Sequence, residues 1–191
     1  MRCCMRDEGF VAPRSRPAGG GFKPPHAALA EDRRGDDDAH QANWLRKAAQ
    51  CTARLSPGNV VYADRDWLSS LSYAYSTAPG DDGALLSQRA AWAARRLRDR
   101  TLLLPAAYAV FDLDPAASLT RRAGRLRPGH PWNHPETLDR LRGFYRDPAR
   151  CLRPVSAELA AALSAPARLD VSGRDDPDRV LSRLSDLAAA A

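Results

Sequence analysis

The chain contains no isoleucine, and only Lys23 and Lys47 are lysines among its 29 basic residues. Both shortages accompany an abundance of Arg, Ala, Leu, Pro, Gly and Asp. These are the residues of GC-rich codons, so the arginine content reflects coding bias first and function second. Cysteine is scarce. Cys3, Cys4, Cys51 and Cys151 form no C-x-x-C, which excludes a zinc or disulfide framework and leaves reduced, packed thiols as the expectation. No run approaches the roughly 18 apolar residues of a membrane span. Met1 to Phe10 is polar and charged, unlike a secretory signal, so a cytoplasmic protein without a membrane partner is expected. What remains is ordinary globular usage: 44% apolar and 27% charged over 191 residues, enough for one domain with a real core.

The net charge of +6 is not spread evenly. Residues 1–40 balance seven cations with seven anions, and 41–118 carry nine against seven. Residues 119–153 carry nine against three, and 154–191 carry four against six. One 35-residue segment therefore holds an excess equal to that of the whole chain. Such a cluster suits an anionic ligand or, equally, a solvated helix face.

Residues 1–40 hold Pro13, Pro17, Gly19-Gly20-Gly21, Pro24-Pro25 and Asp36-Asp37-Asp38 without an apolar period. They are expected to be mostly disordered, because they cannot bury enough surface to offset ordering entropy. A domain is expected over 41–191. Trp44, Ala48, Cys51 and Leu55 recur at helical spacing up to Pro57-Gly58, and Asn59–Ala63 is an apolar, β-branched run that predicts a buried strand ending at Asp64. Helices are predicted around Leu68–Tyr75 and from Ala84 to Leu97, then a strand over Tyr108–Phe111 ending at Asp112. Asp114-Pro115 signals a capped helix start leading into Arg121-Arg122. A loop follows over Gly124–Pro135, then a helix carrying Leu138, Leu141 and Tyr145, and a short one capped by Ser156. A third strand is predicted over Arg168–Val171, and a last helix after Asp176-Pro177. Short buried strands alternating with helices predict an α/β fold with a parallel sheet.

Three segments carry a family resemblance. Pro57-Gly58-Asn59-Val60-Val61-Tyr62-Ala63-Asp64-Arg65, with Leu68-Ser69 and Tyr73, resembles the strand and Asp-Arg motif of thymidylate kinases. Val110 to Pro115, then Ser118-Leu119 and Arg121-Arg122, resembles the family's strand leading into its basic lid, and Leu169-Asp170-Val171 with Pro177–Leu184 its closing strand and helix. The resemblance covers roughly 43–188 and implies a three-layer parallel sheet of P-loop kinase type, a lid over 119–135, and transfer of the ATP γ-phosphoryl to a nucleoside or nucleoside monophosphate with Mg2+. It implies that Asp64 organises magnesium-bound water or the acceptor phosphate, without ligating the metal directly. Arg65 would grip the acceptor phosphate as a bidentate fork, with Ser69 and Tyr73 beside it. Arg121, Arg122, Arg125 and Arg127 would close over the donor, Arg125 with a catalytic part. A homodimer is one expectation.

One departure stands out. No G-x-x-x-x-G-K-[ST] occurs, and the nearest run, Gly19-Gly20-Gly21-Phe22-Lys23-Pro24, puts Phe and Pro where Gly and Ser/Thr would stand. The N-terminal strand and phosphate loop are therefore missing or degenerate, and catalysis by this chain is expected to be impaired. A degenerate kinase fold that binds a nucleotide or protein is the alternative. Nucleic-acid binding is the weakest, since no recognition motif accompanies the arginines. His130 and His134 have the spacing of a helical zinc pair, but Pro131 and Pro135 deny them the helix. Trp67, Tyr73 and Trp132 are aromatic candidates for stacking on a base, or simply packing.

Overall fold

The computed structural model describes residues 33–57, 59–77, 83–125, 128–172 and 175–190. Gly19–Pro24, Pro79-Gly80 and Arg127 lie outside them. The described chain is mixed α/β and mostly helical: α1 (Arg33–Arg54), α2 (Leu68–Thr77), α3 (Ala84–Arg98), β1 (Ala107–Asp112), α4 (Pro115–Arg122), α5 (Pro135–Arg146), α6 (Pro148–Leu152), α7 (Ala157–Leu163), β2 (Ala167–Ser172) and α8 (Pro177–Ala190). Short 3-10 turns occupy Ala123–Arg125 and Pro131–Asn133 between α4 and α5.

Local chemistry accounts for several helix starts. The Asp114 carboxylate accepts from the backbone N–H of Ala116 at 2.9 Å and of Ala117 at 3.3 Å, with Pro115 in the first turn. Asp147 accepts from Arg150 N–H at 2.8 Å ahead of α6, and Ser156 from Leu159 N–H at 3.2 Å ahead of α7. Each bond satisfies an N–H that the helix itself leaves unpaired. The first helix differs from expectation. It begins at Arg33, ten residues before Asn43, and so takes in part of the stretch predicted to be disordered.

The core is built by helices. Trp44 of α1, Leu68, Leu71 and Ala74 of α2, Leu86 and Ala90 of α3, Phe144 of α5, Leu152 of α6 and Leu159 of α7 are buried in one cluster with Trp67 and Leu102. Alpha2 lies inside it, packed on α3 and α5. Phe144 is fully buried, with its ring centroid 5.4 Å from that of Tyr75 and 5.7 Å from that of Tyr145.

The sheet is smaller than predicted. Beta1 and β2 pair in parallel, Ala107 opposite Ala167 through Asp112 opposite Ser172, and α4–α7 form the crossover between them. Residues 59–63 stay outside this pair. Val61 alone among them makes a β-bridge and is buried, while Asn59 and Ala63 are exposed. A strand needs successive ladder bonds with a neighbour, and of this run Val61 alone finds a bridging partner, so the sheet among the described residues has two strands. Side chains alternate between faces. Tyr108 and Asp112 of β1 reach towards α2 and α5, and Arg168 of β2 donates to the carbonyls of Tyr145 and, at 2.9 Å, Arg146. On the opposite face Val171 is buried, as is Val180 of α8, but Phe111 beside Val171 is 68% exposed.

Candidate functional site

The Asp64-Arg65 turn joins the Val61 segment to α2, and both of its side chains are exposed. Arg65 has φ +60°, a left-handed conformation uncommon for a residue with a Cβ. Lys47, reaching across from α1, donates through Nζ to the Asp64 carbonyl at 2.7 Å and lies 3.5 Å from that of Arg65. Its ammonium also sits 5.2 Å from the Trp44 ring centroid.

The next residue, Asp66, is more constrained than anything the sequence suggested. One carboxylate oxygen accepts from Leu68 N–H at 3.0 Å and the other from the Tyr108 hydroxyl at 2.9 Å, tying the start of α2 to β1. Burial of the carboxylate pushes its pKa up to about 6, opposed by the Tyr108 and Leu68 hydrogen bonds and the charge of Lys47. Desolvation of the charged form outweighs two hydrogen bonds.

Ser69 and Tyr73 lie one turn apart on α2. The Tyr145 hydroxyl donates to Ser69 Oγ at 3.4 Å and accepts from Ser72 Oγ at 3.2 Å. The Tyr73 ring meets Trp132 edge-on, with centroids 5.7 Å apart and planes at 81°, and the Arg89 guanidinium lies 5.6 Å from its centroid. Arg122 donates to the Trp132 carbonyl at 3.4 Å. The fold therefore brings Tyr73, Trp132, Arg122 and Arg89 together, fastening the loop after α4 onto α2. Arg121, at the end of α4, and Arg125, in the following 3-10 turn, are exposed. Arg127 lies outside the described residues.

Several candidates resolve into structural roles. Trp67 is 2% exposed and its indole N–H donates to the Leu103 carbonyl at 3.0 Å, so it is core and cannot stack on a ligand. His130 Nδ1 accepts from Trp132 N–H at 3.3 Å, capping the turn, and among the described residues no group of three His, Cys, Asp or Glu could hold a metal ion. Part of the 119–153 charge is also consumed internally. Arg142 grips Asp112 with two bonds of 2.6 and 2.7 Å, and Arg146 lies 3.7 Å from the same carboxylate. Arg142 holds Asp112 below the usual carboxylate range. Arg140 donates to the Ser76 carbonyl at the end of α2. No sequence signal distinguishes these arginines from Arg121 and Arg125, because the acceptors lie 30 to 64 residues away. Asp66 could have been suspected only from its place two residues ahead of a helix.

The chain matches no known family model, and no curated protein or solved structure matches it. Among the described residues no helix is long and apolar enough to cross a membrane.

Proposed function

We propose that this chain is a nucleotide-kinase-like α/β protein of the thymidylate kinase type, whose three-layer P-loop kinase fold lacks a recognisable phosphate loop. Its reaction class is transfer of the ATP γ-phosphoryl to a nucleoside or nucleoside monophosphate, impaired in this chain. The observation that carries the reading is the Asp64-Arg65 turn. An exposed arginine in a left-handed turn directly precedes the helix bearing Ser69 and Tyr73, and that helix is joined through Tyr73 and Trp132 to an arginine-bearing loop. An acceptor phosphate would take Arg65 as a charge-assisted fork, and its sugar and base would lie along Ser69, Tyr73 and Trp132. Arg121 and Arg125 are exposed and would face the donor phosphates, which such enzymes stabilise almost wholly by positioned charge.

Magnesium fits this arrangement only through water. Asp64 is an exposed carboxylate next to the phosphate-gripping arginine, and Mg2+ keeps several waters and draws ligands from substrate phosphates. Asp112, engaged by Arg142 and Arg146, is poorly suited to it. The absence of G-x-x-x-x-G-K-[ST] from the sequence supports impairment and favours a second reading, a fold retained for binding a nucleotide without turnover.

Titration of thymidine 5′-monophosphate and ATP, separately, against wild type and Arg65→Ala tests the site. The monophosphate should lose about tenfold or more and ATP much less, as expected for one charge-assisted contact. Equal losses, or none, remove the assignment. Robust ATP-dependent phosphorylation across a panel of nucleosides and monophosphates would overturn the impairment.

A further inference from the structure

The turn at Asp64-Arg65 is held from outside its own segment. Arg65 adopts φ +60° without being glycine, a conformation that persists only where surrounding groups over-determine it. The group that does so is on α1. Lys47 Nζ donates to the Asp64 carbonyl at 2.7 Å and stands 3.5 Å from the Arg65 carbonyl, so one ammonium faces two successive carbonyl oxygens of the bend. Lysine is suited to this, because its compact ammonium carries three donors on a flexible stem. The lysine is itself located. Its ammonium lies over the Trp44 ring, and the Trp44 indole N–H donates to Ser70 Oγ of α2 at 2.7 Å. The charge of Lys47 also favours the ionised form of the Asp66 carboxylate. Alpha1 and α2 thus clamp the bend between them.

We propose that Lys47 is a positioning residue for the anion site, its ammonium holding the Asp64-Arg65 bend in the left-handed conformation that presents the Arg65 guanidinium to a phosphate. This rests on the reading of Arg65 as the acceptor-phosphate grip. Without the ammonium the two carbonyls lose their shared donor, and Arg65 relaxes to the negative φ that residues with a Cβ prefer. The guanidinium remains present but is no longer aimed, and a misplaced binding group loses most of its worth.

The experiment uses the full chain, with thymidine 5′-monophosphate and adenosine 5′-monophosphate as probes and calorimetric titration as readout, alongside thermal melts. Lys47→Met should weaken monophosphate binding about tenfold, the value of one hydrogen bond to a charged group. Lys47→Arg, which restores charge and donors, should bind within about threefold of wild type. A loss of fold in the methionine variant would show in its melt, and Lys47→Gln then serves as the neutral variant. Wild-type affinity in both neutral variants, with Arg65→Ala weakened, overturns the positioning role and leaves the Arg65 site standing. Equal weakness of Lys47→Arg and Lys47→Met overturns the ammonium's part. No binding by wild type, or wild-type binding by Arg65→Ala, removes the site and the proposal together.

Discussion

Replacing Asp66 by Asn should make the protein more stable at neutral pH, although Asp66 has partners for both oxygens. The carboxylate accepts from Leu68 N–H and from the Tyr108 hydroxyl, yet burial raises its pKa from 3.8 to about 6. The sign follows from proton binding. Between 3.8 and about 6 the folded state holds a proton that the unfolded state releases, so stability falls as pH rises through that window. The shift of roughly two units is worth about 3 kcal/mol at most, at 1.36 kcal/mol per unit, and this cost is present in full at pH 7. Asparagine keeps an oxygen for Leu68 N–H and can donate its amide to the Tyr108 oxygen, which accepts as well as donates. Urea unfolding of wild type and Asp66→Asn at half-unit steps from pH 4 to 8 measures the difference, in which histidine titration cancels. The variant should exceed wild type by about 1–3 kcal/mol at pH 7, with the gap closing as pH falls towards 4. Asp66→Ala, which loses the cap as well, should fall about 1 kcal/mol below the asparagine variant. An asparagine variant less stable than wild type at pH 7, or a gap that does not vary with pH, would refute the account of Asp66 as a desolvated charge.

Three further outcomes follow from the geometry. Phe144→Ala should cost about 3–5 kcal/mol in chemical denaturation, since the ring is fully buried among Tyr75, Tyr145 and the α2 core and its removal leaves a cavity. Asp112, held below its ordinary pKa by Arg142, contributes stability that is present above pH 3.8 and lost as pH falls through its lower folded value. Arg142→Met should shrink that acid-side loss in melts taken from pH 5 down to 2, Arg146 alone remaining beside the carboxylate. Hydrogen exchange at Arg121–Arg125 and His130–Asn133 should slow when a polyphosphate such as ATP is added, as for a closing loop, and unchanged protection would count against a lid.

The arginines of residues 119–153 show how a charge excess is divided by the fold. From sequence, all nine cations of residues 119–153 are equivalent. In the fold, Arg142 and Arg146 are turned to Asp112 and Arg140 to the end of α2, while Arg121 and Arg125 are left exposed. A local count of charge cannot single out the arginines spent on carboxylates and carbonyls, because those acceptors come from other elements.

Features decided within a few residues were legible in the sequence. The Asp114-Pro115 start of α4, the Ser156 cap of α7 and the apolar stripes of α2 and α3 all stand where the sequence placed them, since a cap or a helical face depends only on neighbours up to four positions away. The Tyr108–Phe111 and Arg168–Val171 strands were legible too, each lengthened slightly by its partner. What needed tertiary structure was every feature set by a distant group. Residues 59–63 have the composition of a strand but lie outside the β1–β2 ladder, because strand formation is settled by a neighbour's hydrogen bonds. Trp67 belongs to the core because Leu103 and the helices enclose it. Asp66 carries a disfavoured charge because the surrounding fold removes its water, and the hydroxyl of Tyr108, 42 residues away, offsets that only in part. The bend at Arg65 has its shape because a lysine from another helix reaches its carbonyls.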